Sequence, residues 1–512
     1  MESILGVDIG TSATEGCLVK CSDGKVISRV QVNYPPGFGN PEGLPSGAEQ
    51  RPKVWTQAAM RVINELVNTG AKHDARVEAV AVSSMVGGLN IPVDRDYNPL
   101  RTVPIWLDRR ATREAEAAAE DLDPERLADL TGNGDISPYF GFVKLLWYMV
   151  NDTDRFRRTH ALITPNGEVV RLLTGDHVTD ATSLAAFGGV MDVTRAKVDE
   201  GLLGDLSGIA SRLSGERLEL SPDLFGKVVS SDAVVGYLTA AGEGLTGLPE
   251  GIPVVASGID ASVALLASGG SRAGDNTLLM GTAWCLGILS DRSTHRPVGG
   301  MVHMPHVVRG SELRFSMTGG AYTGGTAGFW MPELVARSTF EDLDREAAVA
   351  PPGAGGVVFL PYLMGDRTPL GRPDVTGAFL GLRAEHNRGH LFRAVMEGGA
   401  MQHAECMEDA RRMGLELAPT RIVDGAYRSI LWRELVADFT GSPVMYQTKF
   451  PGVSYGDAML AAMGPALRSE ATVMEWVPRP RSIEPTQDPD RLKANEVAME
   501  RFRALRDALG AG

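Results

Sequence analysis

Cysteine is scarce in this sequence, with four among 512 residues. Cys17, Cys21, Cys285 and Cys406 are too few and too scattered for a disulfide framework, and no second pair completes a zinc site with Cys17 and Cys21. Reduced thiols in a cytoplasmic protein are the reading that follows. Positive charge is also in deficit. Fifty Lys and Arg face 64 Asp and Glu, a net charge of −14, which argues against a nucleic-acid partner because phosphate backbones need basic surface. A local basic pocket would still suffice for a small anionic substrate. No stretch approaches ~18 uninterrupted apolar residues. The start, Met1-Glu2-Ser3, carries only a short apolar run before Asp8, which predicts neither a signal peptide nor a membrane span. Gly-x4-Gly-Lys-Ser/Thr and His-Glu-x-x-His are missing and no Gly-x-Ser-x-Gly nucleophile elbow stands out, which speaks against P-loop, zincin and serine-hydrolase chemistry. His303-x-x-His306 and His386-x3-His390 have metal-like spacing, but ordinary core or surface histidines explain both.

What remains is an ordinary globular composition, 43% apolar and 22% charged, long enough for two large α/β domains or three average ones. Residues 4–20 read ILGVDIGTSATEGCLVK. Ile4 to Val7 reads as a buried strand, Gly16 to Lys20 as a second and Val26 to Val32 as a third. Asp23-Gly24 supplies the hairpin turn between the last two. The chain thus opens with a β-meander, not a βαβ unit. Val54 to Val67 predicts an amphipathic helix and Val77 to Ser83 a buried strand. Residues 109–130 and Phe142 to Val150 read as helices. Periodicity is weak over 195–250, and a domain boundary near residue 250 gives two domains, 1–250 and 251–512. The second half echoes the first: residues 276–290 read apolar strand, Gly281-Thr282, apolar strand. Residues 389–413 and the last twenty residues predict helices.

The turn after Asp8 is the first candidate site. Gly10 lets the backbone approach a phosphate, and turn amides with the Thr11 and Ser12 hydroxyls can donate to its oxygens. Asp8 can hold Mg²⁺ through water. A plain hairpin whose aspartate caps the turn explains the same residues equally well. The second candidate is Val254-Val-Ala-Ser-Gly-Ile-Asp-Ala-Ser262, where Asp260 opens a helix. It can cap that helix or accept a hydroxyl proton during phosphoryl transfer. The cap is the simpler reading of these residues alone.

Together the segments resemble the FGGY family of carbohydrate kinases. Gly377-Ala-Phe-Leu-Gly-Leu382, then His390-Leu-Phe-Arg-Ala-Val-Met-Glu397, is similar to the family's C-terminal signature. Phe359-Leu-Pro-Tyr-Leu-Met-Gly-Asp-Arg-Thr-Pro369 and Lys144-Leu-Leu-Trp147 resemble two further family segments. The resemblance implies an α/β fold of two actin-like, ribonuclease H-like domains around a central cleft. It implies ATP and Mg²⁺ as cofactors and a small sugar as partner, with no nucleic acid and no membrane; a homodimer is the assembly considered. Asp8, Gly10, Thr11 and Ser12 fall on the first phosphate motif, with Asp8 at the metal. Gly281 and Thr282 fall on the second. Asp260 falls on the catalytic base, which reverses the preference for a cap. Gly324 and Gly325 lie where the family contacts nucleotide, and Gly425 and Ser429 fall on its adenosine motif.

The acceptor is less defined. Ser83-Ser-Met-Val-Gly-Gly-Leu89 lies where xylulose kinases carry Gln-Met-His-Gly, with Gly87 replacing the histidine. Met85, Val86, Gly87, Trp106, Asp108 and Arg110 are the implied sugar-pocket residues, alongside Asp260. A ketopentose such as D-xylulose fits best, with another ketose or a polyol behind it. A sugar or nucleotide sensor without catalysis is the first rival, and a chaperone-type ATPase the second. Glu15 is an anomaly, because the family resembles Gly-Thr-Ser-x-x-Lys/Arg there. Either it points away to a surface cation, or it joins Asp8 at magnesium, or it pairs with an arginine such as Arg110.

Overall fold

The protein is described by a computed structural model covering residues 1–512 apart from 40–42, 44–46, 281–283, 292–300, 309–312, 319–329, 332–337, 364, 367–369, 371, 373–374, 413, 424–428, 449, 451 and 511–512. The chain parts into two compact units. One comprises Met1–Gly269, His303–Phe315 and Pro451–Val477, the other Gly270–Val302, Ser316–Phe450 and Pro478–Gly512. The boundary expected at residue 250 is therefore not where the units part. Residues 251–269, Asp260 among them, belong to the first unit, and the chain returns to that unit near its end.

The first unit is built on strands β1 (Glu2–Ile9), β2 (Ala13–Lys20), β3 (Val26–Asn33), β4 (Arg76–Ser84), β5 (Val234–Tyr237) and β6 (Pro253–Val255), in the order β5-β6-β4-β1-β2-β3. β1 runs antiparallel to β2 and parallel to β4, and β4 runs parallel to β6. The expected meander is β1 to β3. Asp23-Gly24 does close its second hairpin, with the Gly24 N–H on the Lys20 carbonyl at 2.9 Å.

Side-chain alternation divides β1 between two helices. Leu5, Val7 and Ile9 join the core with Trp55, Val62 and Leu66 of the helix Pro52–Ala71. That helix buries residues 55, 58, 59, 62, 63 and 66, a stripe at helical spacing. Ile4, on the other face, joins Cys17, Ala79 and Ala81 against Tyr455, Met459 and Ala462 of the helix Val453–Met463. Gly6 makes that contact possible, since a Cβ there would lie 1.9 Å from the Ser454 carbonyl oxygen. Each fully buried Val, Leu or Ile contributes about 1.5–3 kcal/mol to holding these layers together. The same alternation puts Asp8 on the face covered by Val453–Met463, with Ser83 beside it in the β1–β4 register.

The main sheet of the second unit includes β7 (Asn276–Met280), β8 (Trp284–Ser290), β9 (Thr420–Val423), β10 (Val444–Tyr446) and β11 (Arg481–Ile483), in the order β8-β7-β9-β10-β11. β7 is antiparallel to β8 and parallel to β9, which is parallel to β10. The arrangement around β1 is thus repeated around β7, and the expected α/β class with two related units holds at the level of topology. The core gathers Leu278, Trp284, Phe392, Trp432 and Leu435. The helices Arg388–Arg412 and Pro489–Gly510 stand where periodicity places them, and Ile430–Thr440 is a third. The helix expected over 109–130 is two, Thr112–Asp121 and Pro124–Thr131. Asp123 caps the second through the Glu125 N–H at 2.9 Å, and Pro124 cannot continue the first. Among the described residues no helix is long and apolar enough to cross a membrane.

Candidate active site

The ends of β1, β4 and β6 converge on a buried polar network in the first unit. The Ser83 hydroxyl lies 2.9 Å from Asp8 Oδ1 and 2.8 Å from Asp457 Oδ2. The Ser257 hydroxyl donates to the other oxygen of Asp457. Asp457 is fully buried, and burial together with the charges of Asp8 and Asp260 pushes its carboxyl well above the ordinary range. Ser257 has φ 55°, a left-handed conformation that a non-glycine residue adopts at a cost. It precedes the turn into the helix Asp260–Ala267.

That turn is clamped from a second side. Thr182 Oγ1 accepts the Ile259 N–H at 2.9 Å and donates to Asp180 at 2.6 Å. Asp180 is itself buried, which raises its pKa. Asp260 is the first residue of the helix; Ile259 takes the cap position. The Asp260 carboxylate accepts the Ala261 N–H at 2.7 Å and is partly exposed. The cap reading therefore fails in its strict form, because a capping residue precedes the helix.

The turn between β1 and β2 is closed by the Gly10 N–H on the Ala13 carbonyl at 2.9 Å. Thr11 is half-buried and Ser12 exposed. The Trp106 indole N–H donates to Thr11 Oγ1 at 2.9 Å, and Gln50 Nε2 donates to the Thr11 carbonyl at 2.8 Å. A residue expected at the sugar thus touches one expected at phosphate. Met85, Val86 and Trp106 line a small pocket with Trp55, Leu89 and Asn90. Gly87 has φ 88°, which favours glycine and gives a backbone reason for the missing histidine. Its carbonyl accepts from the fully buried Lys144 ammonium at 3.1 Å, and the carbonyls of Pro138 and Tyr139 accept from the same nitrogen.

Asp108 and Arg110 lie in a buried ion cluster. Arg110 reaches Asp108 at 2.7 Å and Glu49 at 2.8 Å, and Arg101 joins Glu49 at 2.8 Å. Asp108 also accepts the Ala48 N–H at 2.6 Å. Arg110 also stacks over the Trp147 ring, 4.9 Å from its centre. Glu15 sits opposite Asp8 in the β1–β2 ladder, so both project from the same sheet face. A Cβ on Gly452 would lie 3.6 Å from its carboxylate. Gly452 heads the helix Val453–Met463, whose first turn has no acidic residue. The positive end of a helix is a favourable place for a carboxylate.

Of the residues expected in the second unit, Gly281, Thr282, Gly324, Gly325 and Gly425 lie outside the described residues. Ser429 caps the helix Ile430–Thr440 through the Trp432 N–H at 3.1 Å and donates to Asp344 at 2.6 Å. His386 uses both ring nitrogens, one accepting from the Arg383 N–H and one toward the Gly355 carbonyl. No group of three or more His, Cys, Asp or Glu able to hold a metal occurs among the described residues. One carboxylate beside a turn of amides and hydroxyls still fits Mg²⁺, which keeps its waters and is carried largely by phosphate oxygens. Sequence reasoning missed Asp457 and the role of Lys144. The available signal was a lone charge inside an apolar helical run, VSYGDAMLAAM in one case and GFVKLLWYM in the other.

Comparison with known proteins agrees with this layout. Residues 3–267 match the N-terminal domain model of the FGGY family of carbohydrate kinases, and residues 277–464 match its C-terminal domain model. The chain is 27% identical to a xylulose kinase of Bacillus subtilis over 465 residues, covering 91% of this chain and 88% of that one. It is 26% identical to a xylulose kinase of Escherichia coli over 507 residues, covering 98% of each. The crystal structure of a xylulose kinase from Rhodospirillum rubrum superposes with a TM-score of 0.83 at 27% identity, over 99% of both chains.

Proposed function

Because the chain belongs to the FGGY family of carbohydrate kinases, we propose that it transfers the terminal phosphoryl group of ATP to a primary hydroxyl of a ketose, with D-xylulose as first choice. The observation that carries the reading is the joining of Asp8, Ser83, Asp457 and Ser257 into one network beside the helix that Asp260 opens. A carboxylate at the start of a helix and another at a phosphate-type turn are the two acids that such a transfer uses. The names of the relatives support the choice of sugar.

Asp260 orients the acceptor hydroxyl and takes its proton. The hydroxyl oxygen bonds to the γ-phosphorus, the bond to the β–γ bridging oxygen breaks, and ADP departs with that electron pair. Gly10, Thr11 and Ser12 offer amide and hydroxyl donors to phosphate oxygens. Asp8 is the residue that would hold Mg²⁺, and the ion supplies neutralisation of phosphate charge when bound. Met85, Val86 and Trp106 shape the wall against the sugar, and Lys144 fixes the loop through Gly87. Positioning and electrostatics provide most of the rate, since little covalent chemistry falls to the protein. A cytoplasmic setting fits an ATP-dependent enzyme with four free cysteines.

The test is ADP release measured with and without a panel of ketoses and polyols. A kinase responds to a few sugars, a sensor to none, and a chaperone-type ATPase turns over regardless of sugar. Asp260→Asn should abolish transfer while leaving the fold and ATP binding intact. Substantial turnover in that variant would sink the assignment of the base.

A further inference from the structure

The Ser83 hydroxyl has one proton and two carboxyl neighbours, Asp8 Oδ1 at 2.9 Å and Asp457 Oδ2 at 2.8 Å. It can donate to only one of them. Were both acids ionised, one of the two contacts would set lone pair against lone pair at hydrogen-bond distance. One carboxyl must therefore carry a proton and donate it to Ser83. Asp8 ends a strand at the turn that meets phosphate. Asp457 is fully buried inside an apolar helix, and among the described residues no Lys, Arg or His is in ion-pair contact with it. An unpaired buried charge is costly, whereas a neutral buried acid with both oxygens bonded is not.

We propose that Asp457 is a positioning residue which, as a neutral acid, runs a one-way hydrogen-bond chain from Ser257 through its carboxyl to Ser83 and on to Asp8. The directions follow without choice. Ser257 donates to Asp457, Asp457 donates to Ser83, and Ser83 donates to Asp8. Asp8 thus receives a fixed hydrogen-bond donor that orients it, while the same acid grips the strained Ser257 three residues before Asp260. A single buried side chain aligns the two acids of the transfer. The high pKa expected from burial agrees with this protonation state. The inference rests on the kinase reading for its catalytic consequence, though not for its hydrogen bonding.

The discriminating variant is Asp457→Asn, because an amide still donates to Ser83 and accepts from Ser257. It should keep kcat within about threefold of the parent, with an unchanged Mg²⁺ requirement, as expected when the hydrogen bonds survive. Asp457→Leu, which removes them, should lower kcat about tenfold or more and raise the Mg²⁺ concentration for half-maximal rate, with the KM for sugar moving less. Ser83→Ala should reproduce the Mg²⁺ effect and serves where the leucine variant does not fold. Infrared spectra at neutral pH should show a protonated-carboxyl band that disappears in Asp457→Asn. If Asn is as damaging as Leu, an ionised Asp457 is needed and the proposal falls. It also falls if folded Leu and Ser83→Ala variants behave as the parent, or if the band is missing. Should no sugar be phosphorylated at all, the kinase reading fails on its own, while the infrared test of the chain still stands.

Discussion

The hairpins β1–β2 and β7–β8 share one topology and differ in what lines it. β1 ends in Asp8-Ile9, and β4 sets Ser83 beside Asp8. β7 ends in Leu279-Met280, and β9 sets Val423 beside Leu279. An acid and a hydroxyl in one unit thus become leucine and valine in the other. Beneath Asp8 lies a buried acid, whereas Leu278 and Trp284 pack into a hydrophobic core. The backbone arrangement is generic, and among the described residues of the two hairpins the acid with its hydroxyl partner stands in the first. Topology that repeats therefore does not imply chemistry that repeats.

That contrast can be broken by substitution. The largest effect is expected at Asp8. Asp8→Ala should lower kcat by about 10²–10³-fold, as removal of one aligned electrostatic group does elsewhere, with a melting temperature near that of the parent. Full activity in steady-state assays would erase the proposed difference between the hairpins. Leu278→Ala should instead cost about 2–5 kcal/mol in stability through lost burial and a cavity. Urea titration of the second unit's transition measures it, and a loss under ~1 kcal/mol would mean the core there is not tightly packed.

The second unit also holds His403, fully buried, its pKa pushed down to about 3 by burial. Native protein then binds fewer protons than unfolded chain between about pH 3 and the ordinary histidine value near 6.5. Stability contributed by the neutral ring is full above that value and falls as the pH drops through the window. His403→Leu should gain about 2 kcal/mol at pH 5 relative to its effect at pH 8. Identical melting shifts at the two pH values would show that the ring protonates in place. The smallest effect belongs to Glu15. Glu15→Gln should lose about 0.3–1 kcal/mol of stability by removing charge from a helix start. ATP KM and Mg²⁺ dependence should stay put, and a clear change in either would give Glu15 a part in phosphate binding.

Much of the fold was legible because its signals are local. The run ILGVDI, the Asp23-Gly24 turn and the stripe from Trp55 to Leu66 each specify their own element. The split at Asp123-Pro124 was missed, although a capping aspartate followed by proline marks it. Asp8, Thr11 and Trp106 were named from sequence, and the structure joins two of them by a hydrogen bond. Asp457 was not, because its partners stand 374 and 200 residues away. The ion cluster of Asp108 and Arg110 was not legible either, because two polar side chains in a short motif give no hint of Glu49 and Arg101. The boundary at 250 missed for the same reason: nothing local announces that 451–477 completes the first unit.

Gly6, pressed against Ser454, has a consequence for synthesis. The sheet that begins at residue 2 receives its second covering helix only when residue 463 has been made. Between Gly269 and that helix the ribosome adds roughly 180 residues, roughly 10–40 s at about 5–20 residues per second. For that interval Ile4, Cys17, Val19, Ala79 and Ala81 lack their partners on the helix Val453–Met463. The nascent chain carries an open apolar face through most of the second unit's production, and chaperone demand should concentrate there.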